Sequence, residues 1–524
     1  MSARLVVIGL DAANGGLLRQ WAAEGVLPNL GALLNRGRAT RLRGIDGFFT
    51  GATWPSLLTA ASPAQHGIHY LAQLVPGTYQ FSRPHEAEYI RSPMFWDDLK
   101  QSGQRLAILD VPLTRLDPAI PGIQTVEWAG HDRIFGFQTS PPQLAREILR
   151  RHGPHPVPSD CDSTHRTPEG FEHFVETLIR GVEAKAGLTL DLLSRERWDL
   201  FMQVFTESHC VGHQCWHLHD LEHPAHDASL VGKLGDPVRR VYQAIDTAVG
   251  DILSAADDAA VFVLASHGMC HSIGVNQLLP TILERLGLCV PLPPEPKRLR
   301  PREISQAIGR RLPESVQSAL RAVRERIERP GRFGLPTLNV DTRASRCLPV
   351  PNGLLVSGIR LNLVGREPHG NVQPGADAQV LIDQLSDDLL EIRDERTGKP
   401  LVRRVLSTAS IYSGPHLDLL PDVLVEWHDE SPVGSTLLAE GRGSVIRVSS
   451  PKIGTVETVN GYGRTGEHRS DGLLIAAGPG ITPGERDSPL SLLDVAPTIT
   501  ASLGTTMTVG EGTAAADLVV GRRS

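Results

Sequence analysis

The sequence predicts an α/β fold, a central and mostly parallel sheet with helices on both faces. Short apolar runs recur along the 524 residues and alternate with helical patterns, as layered α/β domains require. Those runs are apolar for most of their length rather than at every second residue, which marks strands buried on both faces. A composition of 40% hydrophobic and 21% charged residues is that of a globular chain with room for one large domain plus insertions, or for two domains.

The first element is a strand, Leu5–Leu10, reached straight after Met-Ser-Ala-Arg. It is too short for a signal peptide and runs into the carboxylate of Asp11 rather than a small-residue cleavage site. Pro28-Asn29-Leu30 opens a helix that Gly37 closes at its C′ position. Further strands are expected at 106–111, 200–205, 259–265, 423–426 and 473–477. Residues 70–195, rich in Pro, His and aromatics, are expected to be an insertion or cap. A second insertion spans 290–345, with a basic helical stretch at 297–332 that forms either a lid or anion-facing surface, or a solvated helix.

The bulk numbers exclude some classes. A net charge of −7 argues against general nucleic-acid binding. No apolar run approaches the roughly 18 residues of a membrane span. Six cysteines without a CxxC pair are too sparse for a disulfide framework, so a reducing, cytoplasmic setting is expected. Oligomeric state is open.

Ligands of parallel α/β sheets gather beyond the carboxyl ends of the strands, and the candidate residues lie there. Asp11 ends the first strand and either ligates a divalent metal or caps the next helix. In Phe48-Phe49-Thr50-Gly51-Ala52-Thr53-Trp54-Pro55, the proline favours a first helical turn near 53–55. Thr50 then precedes a helix N-terminus, where free amides favour phosphate. It is either a nucleophile, needing a metal or base to activate its hydroxyl, or a capping threonine. Thr53, in that first turn, is assigned to substrate binding. His209 and His213 follow the strand at 200–205 and share a helix face, a spacing that suits one zinc. The nearby His217, His219, His223 and His226 leave chance spacing as the alternative. Ser266 and His267 end the strand at 259–265; the alternative is a core or capping histidine. His468 lies in a polar loop ahead of 473–477 and means little alone.

The order of these segments resembles the type I phosphodiesterase/nucleotide pyrophosphatase family of the alkaline phosphatase superfamily. Asp11 matches the family's first-strand aspartate. Thr50 matches its nucleophile, followed by Pro63-Ala64-Gln65-His66-Gly67-Ile68. Phe205-Thr206-Glu207 with His209 and His213, then His267-Gly268-Met269, then Thr465-Gly466-Glu467-His468-Arg469-Ser470-Asp471-Gly472 match three later motifs. The resemblance covers nearly the whole chain, most weakly at the two insertions. It implies an alkaline-phosphatase-like α/β/α catalytic domain over 1–524. It also implies metal-dependent hydrolysis of phosphodiesters, nucleotide pyrophosphates or related small phosphate esters, drawn from small phosphorylated metabolites or nucleotides. Two divalent ions, usually zinc, would serve the threonine, and a phosphothreonine intermediate would form.

Two positions depart from the family pattern. Its aspartate four residues before His213 is His209, and its aspartate before His267 is Ser266. By the family arrangement one ion takes His209, His213 and His468. Three neutral imidazoles make a sound open zinc site. The other ion takes Asp11, Thr50, Ser266 and His267, where a hydroxyl is a poorer ligand than carboxylate. One firm ion and one weak ion are expected, unless Glu207, Asp132 or Cys270 supplies the missing ligand. A phospho- or acyl-group transferase and an anion-binding non-enzyme are the alternative functions. The sulfatase pattern Cys/Ser-x-Pro-x-Arg is missing at Thr50, and phosphoglycerate mutases carry serine there.

Overall fold

The computed structural model describes residues 4–83, 90–131, 133–157, 167–256, 258–293, 335–429, 444–460 and 464–521. Asp132 and the basic stretch 297–332 lie outside the described residues.

The central sheet is mostly parallel, as expected. Its strands are β1 (Leu5–Leu10), β2 (Arg38–Arg43), β3 (Leu106–Leu109), β4 (Gly122–Val126), β5 (Gln138–Ser140), β6 (Leu200–Phe205) and β7 (Ala260–Ala265). Strand β8 (Gly268–His271), just after β7, lies outside this sheet and pairs with Gly466–Arg469. Across the central sheet the strand order is β2, then Asp471–Ala477, then β7, β1, β6, β3, β4 and β5. The five strands from β7 to β4 are mutually parallel, and Asp471–Ala477 and β5 run antiparallel at the two sides.

Strands apolar at every position follow from two separate cores. Leu5 and Val7 of β1, Met202 and Val204 of β6, and Phe262 and Leu264 of β7 enter one core. Val6, Ile8, Phe201, Phe205, Val261 and Val263, at the alternate positions, enter the other. The second core is roofed by α1 (Pro28–Arg36), α3 (Pro168–Leu193), α4 (Glu207–His219) and α5 (Pro237–Ala255); the first by α2 (Thr53–Thr59) and the C-terminal helix Val495–Ser502. Covering both faces is the α/β/α sandwich that the sequence predicts. Among the described residues no helix is long and apolar enough to cross a membrane.

Three expectations are corrected. Residues 70–195 are not an insertion: they supply β3, β4 and β5 to the central sheet and α3 to its helix layer. The strand at 423–426 belongs to a second, antiparallel sheet of four strands, β9 (Cys347–Val350), β10 (Val356–Leu361), β11 (Val402–Ser407) and β12 (Val423–Trp427), in the order β9-β10-β12-β11. Its residues are wholly buried because the first core continues into it. Gly37 does follow α1, but with an extended φ of −112°. It must be glycine for closeness rather than handedness, because a Cβ there would stand 2.7 Å from the Ala476 carbonyl oxygen.

Candidate metal centre

Register puts the candidate residues side by side. Leu10 of β1 pairs with Phe205 on one flank and Ala265 on the other. Asp11, Thr206 and Ser266, the next residue of each strand, therefore share the carboxyl edge. Helix α4 starts immediately after β6, and Ser208 Oγ in its first turn donates to the Asp11 carbonyl, 2.7 Å away. Met269 of β8 pairs with His468 on strand β13 (Gly466–Arg469), which carries His468 over the first turns of α4. Close approach at Gly466 makes this possible: a Cβ there would lie 2.1 Å from the Gly212 carbonyl oxygen. Strand β14 (Asp471–Ala477) then rejoins the central sheet.

His209, His213 and His468 meet through their Nε2 atoms, each 3.2 Å from the other two. All three rings are buried. Burial first, then the charge that neighbouring histidines and Arg464 would exert, holds each well below the ordinary imidazole pKa. They are therefore neutral at physiological pH, the form that ligates metal. His213 Nδ1–H donates to the Gly466 carbonyl at 2.8 Å, which leaves its Nε2 lone pair facing the cluster. Triangle edges of 3.2 Å are those of a tetrahedron whose corners stand about 2.0 Å from its centre, the zinc–nitrogen distance. The residues fit zinc.

Ser266 and His267 adjoin this triangle. His267 Nε2 is 3.0 Å from His468 Nδ1, and His267 Nδ1 is 2.9 Å from Ser266 Oγ. Burial pushes the His267 imidazole down to about 3. Asp11 lies one strand away, where its Oδ1 accepts the Trp54 indole N–H at 2.7 Å. Among the described residues, neither Asp11 nor His267 joins a group of three metal-competent ligand atoms.

Thr50 lies three residues before the start of α2. It is half-buried and makes no side-chain hydrogen bond among the described residues. Gly353, in the β9–β10 turn, comes so close that a Cβ there would lie 3.1 Å from Thr50 Oγ1. The second sheet thus closes over this hydroxyl. Thr53 is buried and donates its hydroxyl proton to the Phe49 carbonyl at 3.0 Å, a bond that shapes the start of α2.

The proposed substitutes for the missing carboxylate are engaged elsewhere. Glu207 forms a buried pair with Lys185 at 3.2 Å and approaches His155 at 3.4 Å. Burial alone would raise its pKa, but the Lys185 ammonium and then His155 hold it down to about 2. Cys270 donates to the His271 carbonyl at 3.4 Å, and burial pushes its thiol well up. The other four histidines of the segment are tied locally. His217 Nδ1 meets Thr465 Oγ1 at 3.0 Å, His219 Nδ1 meets Asp236 at 2.7 Å, His226 Nδ1–H donates to the His217 carbonyl, and His223 Nδ1 accepts from the Ala225 amide.

Two residues join the centre that the sequence reading passed over. The His131 ring lies 4.3 Å from that of His209, and its Nδ1 is 3.7 Å from Cys210 Sγ. It sits in the loop beyond the carboxyl end of β4, a position that would have flagged it had 70–195 been taken as part of the sheet. Arg464 Nη1 approaches His213 Nε2 at 3.4 Å and places positive charge beside the triangle. Its only signal was its place next to Thr465.

The model of the type I phosphodiesterase / nucleotide pyrophosphatase family matches residues 5–430. The chain belongs to that family. Its members are phosphoric-ester hydrolases that use divalent metals, zinc in the wider alkaline phosphatase superfamily. His468 lies beyond the matched span, and the pairing of β8 with β13 brings it to His209 and His213. Phosphonoacetate hydrolase from Sinorhizobium meliloti 1021, in complex with phosphonoformate, is 15% identical, with 94% of each chain covered and a TM-score of 0.50. Wild-type alkaline phosphatase PafA is 14% identical over 99% of each chain, with a TM-score of 0.51. Murine ectonucleotide pyrophosphatase/phosphodiesterase 5 is 11% identical over 97% of each, with a TM-score of 0.46. No curated protein sequence matches significantly.

Proposed function

We propose that the protein hydrolyses phosphodiesters, nucleotide pyrophosphates or related small phosphate esters, with Thr50 as nucleophile. The observation that carries this reading is the set of three neutral imidazole nitrogens spaced for one zinc. Bound zinc would supply Lewis-acid stabilisation of charge on the phosphoryl oxygens and would lower the pKa of a hydroxyl beside it. Thr50 Oγ forms a bond to phosphorus as the leaving group departs, and water then cleaves the phosphothreonine. Arg464 adds a cation for the phosphoryl anion next to the triangle. One ion is firmly held at the three histidines; any second, drawn by Asp11 and Thr50, is weak. The relative crystallised with phosphonoformate binds a small phosphorus oxyanion, which suits a small phosphorylated metabolite or nucleotide here. Cys270, Cys289 and Cys347 are buried thiols, which suits a cytoplasmic setting.

The test is Thr50→Ala on a nitrophenyl phosphodiester. Turnover falls on the order of 1000-fold or more while the fold and zinc content persist. Undiminished turnover removes Thr50 from the mechanism. Zinc analysis after extensive dialysis yields one ion per chain, and two tightly held ions would contradict the weak second site. Phosphate release without an added acceptor separates hydrolysis from group transfer. An anion-binding non-enzyme is the second reading, favoured by the Asp11–Trp54 bond. It predicts phosphate binding without turnover.

A further inference from the structure

We infer that Ser266 and His267 serve as an outer hydrogen-bond chain that orients His468 as a zinc ligand, and that His267 holds no second ion. The inference rests on the three-histidine site proposed above. A neutral imidazole has one N–H and one lone pair, and a ligating nitrogen must present the lone pair. His468 Nε2 stands in the triangle, so its hydrogen is on Nδ1. That nitrogen is 3.0 Å from His267 Nε2 and donates to it. His267 Nε2 is thereby the acceptor, and its hydrogen sits on Nδ1, 2.9 Å from Ser266 Oγ. Every tautomer along the chain follows from the first.

The same step removes His267 from the other role. Its Nε2 lone pair accepts from His468 and has nothing left for a cation, while Nδ1 carries the proton. Ser266, a neutral hydroxyl, suits the end of such a chain. His213 has an equivalent support, with Nδ1–H donating to the Gly466 carbonyl. Metal-bound histidines are generally held this way, through the nitrogen that does not touch the ion. Two of the three ligands thus have a fixed ring orientation. His209 Nδ1, by contrast, is buried without a hydrogen-bond partner among the described residues.

The experiment is zinc titration of the demetallated full-length protein against a chromophoric chelator, comparing wild type, His267→Ala and His267→Gln. The wild type binds one ion. His267→Ala still binds one, about 10- to 100-fold more weakly, the usual effect of losing an outer-shell partner. His267→Gln keeps most of the affinity, because a glutamine side-chain oxygen reaches the place of Nε2 and accepts from His468, yet is a poor zinc ligand. Two ions in the wild type, falling to one in both variants, would overturn the inference. So would a single ion whose affinity ignores His267→Ala, or one weakened equally in both variants. A wild type that binds no zinc overturns the three-histidine site itself, and this inference with it. A single tight ion that ignores His267 leaves that site standing and overturns the inference alone.

Discussion

Two adjoining groups of polar residues near the strand ends meet their hydrogen-bond needs in opposite ways. On the α4 and β13 side, His209, His213 and His468 turn three Nε2 atoms toward one another at 3.2 Å. On the β1 and β7 side, Asp11 accepts from Trp54, and Ser266 and His267 bond to each other and onward to His468. Buried polar groups need partners. The second group finds them within the protein. With each Nε2 as the ligating nitrogen, the first presents lone pair to lone pair, an arrangement that a cation would complete. Ligand-capable residues near strand ends are thus not equivalent sites: what decides is whether the protein has already used the lone pairs.

The largest effect is expected at the base of the histidine group. Helix α4 begins at Glu207, whose carboxylate is buried against Lys185. Lys185→Met strands that charge and is expected to destabilise the protein by about 3–5 kcal/mol, measured by urea unfolding. The pair's contribution has a defined pH dependence. Glu207 is held at about 2, below the roughly 4.3 of an unfolded glutamate. The stabilisation is fully present above about pH 4.3 and is lost as pH falls through about 2. The Lys185→Met variant should lack that acid-sensitive component, and a wild-type acid profile in the variant would argue against the pair.

A smaller effect sharpens the contrast from the other group. Trp54→Phe removes the indole donor to Asp11 and should cost about 1.5–3 kcal/mol, as for hydrogen bonds to charged groups. It also leaves the Asp11 carboxylate more available, so weak zinc uptake beyond one equivalent should increase in excess zinc. Unchanged stability would show that the bond contributes nothing. The smallest change is Thr53→Val. It loses the bond to the Phe49 carbonyl, about 0.5–1.5 kcal/mol, and leaves KM for a phosphodiester unaltered. A raised KM would support Thr53 in substrate binding.

Much of the fold was legible because two separate cores require unbroken apolar strands, and β1, β6 and β7 carry them. The far side of the sheet was not. β4 reads Gly-Ile-Gln-Thr-Val and β5 Gln-Thr-Ser, with Gln124 and Thr125 buried. The Gln124 amide is satisfied by the Arg115 carbonyl and the Asp117 amide, contacts that no hydropathy pattern announces. Mistaking these strands for an insertion concealed His131, which lies beyond the end of β4.

Spacing and order along the chain were enough to place Asp11, Ser266 and His267 at strand ends, and His209 and His213 on one helix face. They were also enough to mark the chain's family and the two altered positions. The resemblance assigned His468 to the same ion as His209 and His213; tertiary structure alone decided how it gets there, since β8 and β13 pair across some two hundred residues of sequence. It alone decided that His267 leans on His468 and that Trp54 occupies Asp11. The physical reason is that periodicity governs where a side chain emerges. Which neighbour takes its lone pair depends on distances of about 3 Å between elements remote in sequence, and those are set only when the cores pack.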